Sequence, residues 1–260
     1  GKDRMAWPVA PTQSAAMSKR SPSHLARAAE RVGALDWSAL AAQLDERGHA
    51  TTGPLLTPAE CQAIAALYEA ESGFRSRVVM ARYGFGQGEY RYFSYPLPPL
   101  VAGLRAALYP RLVPVARRWY AALGRKADLP ETLDGYLARC HAAGQTRPTP
   151  LLLRYGPGDY NCLHQDLYGE LAFPLQATIL LSAPGEVFDG GEFVLVEQRP
   201  RMQSRPEVVP LRQGEAVIFA VNERPMQGKR GPYRVKLRHG VSRLRGGERF
   251  TLGLIFHDAK

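Results

Sequence analysis

From residue 150 onward, apolar runs of four to seven residues are cut by glycine and proline turns, and that rhythm leaves few folds open. The runs are 151–155, 177–182, 192–197, 215–221, 234–237 and 250–256. Each is too short for a self-standing helix and is bounded by turn residues. Many short strands packed as a β-sandwich or barrel are therefore expected.

The preceding residues carry a different period. Leu25, Val32, Leu35, Leu40 and Leu44 have helical spacing across 24–47, and Gly48 closes that helix. Thr57-Pro58-Ala59-Glu60 is a helix start, with a threonine cap, proline at the first helical position and glutamate at the third. That helix is predicted to run through Ile64 and Leu67 to about Glu71. Leu100, Leu104, Leu108, Leu112, Val115 and Trp119 predict a long helix over 99–123, and a shorter one is predicted over 131–142. Between them, 80–96 is dense in aromatics, glycine and arginine and only weakly periodic. Residues 1–23 are rich in Pro, Ser and Ala without a period and are expected to be a disordered tail. The fold class is thus α+β. A jelly-roll core over 146–260 is expected behind a helical, substrate-facing segment over 24–145.

At 45% hydrophobic and 22% charged, the chain can build an ordinary core. It has no apolar stretch of transmembrane length and no apolar leader within 1–20, so neither a membrane partner nor secretion is expected. Three scattered cysteines, Cys61, Cys140 and Cys162, fit a reducing cytoplasm better than a disulfide framework. The net charge of +10 is local: 199–249 holds 13 Lys/Arg against 4 Asp/Glu, and the remainder is nearly balanced at 21 to 20. Such a surface suits a polyanion such as nucleic acid, or is a solvated arginine-rich face. No obligate protein partner is evident.

His164-Gln165-Asp166 is the first chemical anchor. In a strand, residues i and i+2 share a face, so His164 and Asp166 can meet one metal while Gln165 points away. An imidazole and a carboxylate, completed by a second histidine, form a facial triad that suits Fe(II) and leaves coordination positions open. Alone, His-x-Asp is a weak signal.

Its surroundings make it specific. Arg154-Tyr155-Gly156-Pro157-Gly158 precedes it, with Tyr155 nine residues before His164. Asp189-Gly190-Gly191-Glu192-Phe193, Gln213-Gly214-Glu215, His239-Gly240-Val241 and Arg249-Phe250-Thr251 follow, the last ten residues beyond His239. Over about 150–258 this order resembles the Fe(II)/2-oxoglutarate-dependent dioxygenase superfamily, whose core is a double-stranded β-helix. The resemblance implies Fe(II) on His164, Asp166 and His239, with 2-oxoglutarate and O₂ as cosubstrates and ascorbate as an aid. It implies that Arg249 grips the distal carboxylate of 2-oxoglutarate, assisted by Thr251 and Tyr155. Arginine suits that task because its planar fork stays charged and binds a carboxylate bidentately. The lesser reading of Tyr155 is a core aromatic. His257, at the chain end and on the Arg249 face of its strand, is readable as a pocket residue, and the favoured reading is a surface or C-terminal strand histidine.

Two subfamilies share the pattern. Arg154-Tyr155-x-Pro157-Gly158 with Leu163-His164-Gln165-Asp166 looks like the AlkB-type nucleic-acid demethylases, but Leu153 stands where that pattern has asparagine. The Gly-Gly-Glu stretch and the spacing from His239 to Arg249 look more like prolyl hydroxylases. With Phe85-Gly86-x-Gly88-Glu89-Tyr90-x-Tyr92-Phe93-x-Tyr95-Pro96 included, the whole chain resembles a bacterial oxygenase family described as acting on methylated, damaged DNA. That resemblance implies oxidative demethylation of alkylated bases, releasing succinate, CO₂ and formaldehyde. Tyr90 and Tyr92 are candidates to stack on an extruded base, and Arg224, Lys229 and Arg230 to meet phosphates from a loop at the mouth of the site. A hydroxylase of a protein side chain or small molecule is the alternative. A nucleic-acid-binding protein with a vestigial site is the third reading, which the complete His/Asp/His/Arg set opposes.

Overall fold

The computed structural model describes residues 23–260, and the expected disordered tail lies outside the described residues except for Ser23. Ser23 caps the first helix, α1 (His24–Gly33), by accepting a hydrogen bond from the Ala26 amide at 3.1 Å. The single helix predicted over 24–47 is two. The Asp36 side chain accepts from the Ala39 amide at 3.1 Å and starts α2 (Trp37–Arg47), because a carboxylate one residue before a turn satisfies an orphan amide. Gly48 ends α2 at φ 77°, its amide donating to the Leu44 carbonyl.

The capping box at Thr57 and Glu60 is formed in both directions and opens α3 (Pro58–Ala66), which continues as one 3₁₀ turn to Glu69. Next come α4 (Pro99–Ala122) and α5 (Leu133–Ala142). The stripe Leu104, Leu108, Leu112, Val115 and Trp119 of α4 is buried, and α1 packs along this helix. No helix among the described residues is long and apolar enough to cross a membrane.

Four strands arise before residue 100: β1 (His49–Pro54), β2 (Phe74–Val79), β3 (Gly86–Gln87) and β4 (Glu89–Phe93). The 24–145 segment is therefore not purely helical. Eleven more strands follow: β5 (Leu151–Tyr155), β6 (Tyr160–His164), β7 (Leu175–Leu180), β8 (Phe188–Gly190), β9 (Phe193–Gln198), β10 (Arg205–Val209), β11 (Glu215–Ala220), β12 (Glu223–Gly228), β13 (Gly231–Val241), β14 (Leu244–Gly247) and β15 (Arg249–Leu254). One antiparallel sheet has the order β1-β11-β7-β15-β5-β4-β2. The facing sheet runs β10-β9-β13-β6-β3, with β12 also on β13. Strands β1 to β4 lie at the sheet edges, and between them the earlier strands β5, β6 and β7 pair with the later strands β11, β13 and β15, which is the double-stranded β-helix.

The two sheets explain why only some strands were legible. In the larger sheet, Leu152, Ile179, Ile218 and Leu252 face the helices, while Tyr155, Leu180, Val217 and Phe219 face the other sheet. With both faces covered, β5, β7 and β11 carry apolar residues on both faces instead of a strict alternation with polar ones. The smaller sheet keeps one face in water. Along β13, Arg234, Lys236 and Arg238 are exposed while Val235, Leu237 and His239 are buried. The run expected at 234–237 is the middle of that longer strand. The polar strands β6, β10 and β12 carry no comparable signal.

Candidate active site

The site lies between the sheets, in a cavity of about 270 Å³ lined by residues of β4, β5, β6, β7, β13 and β15. His164 ends β6, and His239 lies opposite it in the register of β13. One nitrogen of each histidine and one oxygen of Asp166 lie within 4.8 Å of one another. His239 Nε2 is 3.1 Å from Asp166 Oδ2, and His164 Nε2 is 3.5 Å from Oδ1. The strand argument for His164 and Asp166 needs one amendment. β6 ends at His164, so Asp166 arrives from a loop, whereas Gln165 does turn away and donates to the Asn222 side chain and the Leu237 carbonyl.

The protonation states suit a metal. His164 Nδ1 donates to the Cys162 carbonyl at 2.7 Å, which orients the ring with Nε2 towards Asp166. Burial lowers the pKa of His239, and the neighbouring His164 lowers it further, so the ring is neutral at pH 7. Burial pushes the Asp166 carboxyl up, but hydrogen bonding and charge from His239, with help from His164 and Gln176, outweigh it and hold the group well below the usual carboxylate range. Two imidazoles and one carboxylate are a donor set that suits a divalent cation.

Arg249 is the second half of the site. It is 2% exposed, and its Nε and Nη1 have no hydrogen-bond partner among the described residues. A guanidinium cannot shed its charge, so burying it with open donors costs several kcal/mol unless an anion meets it. Beside a metal-type triad in one cavity, it fits the distal carboxylate of 2-oxoglutarate. Tyr155 is directly opposite Arg249 in the register of β5 and β15, 94 residues away in sequence, and the guanidinium carbon is 5.5 Å from its ring centroid. Asn161 donates to the Tyr155 hydroxyl at 3.2 Å. Thr251 is buried and lines the same cavity. Gly191 of the Gly-Gly-Glu stretch sits at φ 61°, and a side chain there would come within 3.0 Å of Arg249 Cδ, so glycine is what lets the chain pass over the arginine.

The candidate substrate residues divide. Tyr90 and Tyr92 both line the cavity from β4, their rings edge to face at 5.4 Å. Arg224 does not meet solvent: it is 1% exposed and pairs with Glu197 at 3.1 Å under the smaller sheet. Its position on the inward face of β12 removes it as a phosphate contact. Lys229 and Arg230 are exposed, but at the turn joining β12 to β13. Gly231 is eight residues from His239 along an extended strand, about 26 Å at roughly 3.3 Å per residue. The basic loop is therefore distant from the metal-type triad and contributes no lining residue to the cavity.

Two residues escaped the sequence reading, and the place of a third differs from its expectation. Tyr168 and Gln176 hydrogen-bond the Asp166 carboxylate. Tyr168 stands two residues after Asp166, and Gln176 is a lone amide in an apolar strand, both findable signals. His257 is not a surface or strand histidine. It is fully buried, accepts from the Phe173 amide at 3.0 Å and donates from Nε2 to the Asp166 carbonyl at 3.0 Å, pinning the loop that carries the carboxylate.

Burial pushes the His257 pKa down to about 4, from 6.5 in the unfolded chain. Between those values the unfolded state binds more protons, so stability is complete above about pH 6.5 and is lost as pH falls towards 4. The loss amounts to about 3 kcal/mol. Urea unfolding of the metal-free protein should show this fall, and His257→Asn should flatten it. Equal pH slopes for the two proteins would refute the assignment.

Comparison with known proteins agrees with this geometry. Residues 88–259 match the model of a family described as an oxygenase catalysing oxidative methylation of damaged DNA. Uncharacterized proteins MT2286 and Rv2227, from two strains of Mycobacterium tuberculosis, are each 55% identical over 167 residues, covering 64% of this chain and 72% of theirs. Among solved structures, a Pseudomonas putida prolyl-4-hydroxylase is 16% identical with a TM-score of 0.47, covering 86% of this chain and 99% of its own. A 2OG-Fe(II) oxygenase family oxidoreductase from Burkholderia pseudomallei is 18% identical with a TM-score of 0.47, covering 86% and 92%. The triad and the buried arginine fit Fe(II) and 2-oxoglutarate, and by its match over 88–259 the chain belongs to the family of oxygenases described as catalysing oxidative methylation of damaged DNA.

Proposed function

We propose that this oxygenase removes methyl groups from alkylated bases in nucleic acid. The observation that carries the reading is the aromatic character of the cavity and its rim. Tyr90 and Tyr92 wall it, and Phe85, 46% exposed, stands at its edge stacked on Tyr83, 63% exposed. Flat aromatic faces stack on an unpaired base irrespective of its sequence. The exposed Arg234, Lys236 and Arg238 on the outer face of β13 form no ion pair among the described residues, and they supply positive charge for phosphates.

In this reading His164, Asp166 and His239 would hold Fe(II). Arg249, Thr251 and Tyr155 would orient 2-oxoglutarate. Iron with 2-oxoglutarate and O₂ supplies an oxidant able to hydroxylate a C–H bond. The surrounding Phe193, Leu153 and Val241 keep water from that oxidant, and the tyrosines present the methyl group. A hydroxylated N-methyl group collapses to the free amine and formaldehyde, so one N-methyl base, one 2-oxoglutarate and one O₂ give the bare base, formaldehyde, succinate and CO₂. Oxidation of an N-methyl carbon removes that carbon as formaldehyde, so demethylation is the direction such oxidation takes.

The test is incubation with Fe(II), ascorbate, 2-oxoglutarate and O₂, measuring succinate and formaldehyde with methylated and unmethylated oligonucleotides. Equal amounts of both products, formed only with methylated strands, are expected. Succinate formation indifferent to the oligonucleotide would defeat the nucleic-acid reading and turn the search to protein side chains and metabolites.

A further inference from the structure

Asp166 is the one member of the triad whose backbone lies outside both sheets. His164 and His239 are held by ladder pairing between β6, β13 and β9. Asp166 sits between β6 and β7 without such support. A carboxylate on a loop needs some other restraint to meet a metal in one orientation.

Two side chains provide it. The Tyr168 hydroxyl donates to Asp166 Oδ1 at 2.9 Å, and the Gln176 amide donates to Oδ2 at 2.8 Å. Each oxygen accepts one hydrogen bond and keeps a lone pair. The donors are themselves fixed. Gln176 stands on β7, 3% exposed, with Nε2 also 3.4 Å from His239 Nε2. The Asp166 oxygen can only accept, so the Gln176 nitrogen faces it, while Oε1 has no partner among the described residues. The Tyr168 hydroxyl meets that of Tyr92 at 2.8 Å, and the Arg75 guanidinium lies 4.2 Å from the Tyr92 ring centroid.

We propose that Tyr168 and Gln176 form a clamp that presents the Asp166 carboxylate to the metal, with Tyr92 orienting the Tyr168 hydroxyl from the cavity wall. They are positioning residues: they set metal affinity and the symmetry of its surroundings. The inference rests on Asp166 as a ligand and is independent of the substrate.

The experiment is titration of metal-free protein with Co(II), followed by its d–d absorption, with far-UV circular dichroism as the check on folding. Tyr168→Phe removes one hydroxyl, and Gln176→Met keeps length while removing the donor. Each is expected to weaken Co(II) binding by about tenfold or more, as loss of outer partners of metal ligands does, and to change the band shape. Tyr92→Phe, which leaves both clamp donors in place, is expected to weaken binding by a smaller factor and serves if Tyr168→Phe does not fold. Wild-type affinity and spectrum in the folded clamp variants would overturn the proposal. Asp166→Ala separates the premise: wild-type Co(II) binding there would remove Asp166 as a ligand and the clamp with it. Loss in Asp166→Ala alone would overturn only the clamp.

Discussion

Asp166→Ala is expected to abolish succinate formation and to weaken Fe(II) or Co(II) binding by far more than the roughly 100-fold upper range seen when an outer partner is lost. The carboxylate is the only anion within the triad, and two imidazoles alone hold a divalent cation poorly. The substitution also strands the Tyr168 hydroxyl and the Gln176 amide, at about 1–3 kcal/mol for each buried donor left without an acceptor. Stability must therefore be measured beside metal binding. A folded Asp166→Ala protein with full turnover would remove the triad assignment.

Arg249→Ala is expected to raise the 2-oxoglutarate concentration for half-maximal turnover. A buried charge pair loses about 2–5 kcal/mol when one partner is truncated, roughly 30-fold to several thousandfold in affinity. Here the guanidinium is 2% exposed with two nitrogens free of protein partners among the described residues, so the anion it meets is almost wholly withdrawn from water. Arg249→Lys should recover only part of the loss, because an ammonium supplies charge without the planar fork. Succinate formation measured against 2-oxoglutarate concentration reads both effects. An unchanged requirement in Arg249→Ala would count decisively against its role.

The division between legible and hidden follows from what a local pattern can encode. The strands covered on both faces, such as β5 and β15, were visible because apolar residues dominate them, interrupted only by Arg154 in β5 and by Arg249 and Thr251 in β15. β6 was not, although it carries His164, because Tyr160, Asn161, Cys162 and His164 alternate with no hydrophobic face. The break between α1 and α2 was hidden by continuous helical spacing, although Asp36 was the cap that makes it. Arg224 looked like part of a basic loop, since charge counts ignore strand direction. Its side chain points inward to Glu197 because it shares a face with buried Val235 across the β12–β13 ladder.

By itself the sequence determined the secondary-structure rhythm, the α+β jelly-roll class, and a chemical set of two histidines, an aspartate and an arginine in an order that resembles one superfamily. Those properties are local or ordinal, and residue type and spacing carry them. Only the tertiary structure decided which atoms converge. It set His164 against His239 and Tyr155 against Arg249 through strand register, and it separated the Lys229–Arg230 turn from the metal-type triad. It also supplied Asp166 with Tyr168, Gln176 and His257. Register between strands dozens of residues apart is fixed by packing and hydrogen bonding across the whole sheet, and no stretch of sequence holds that information alone.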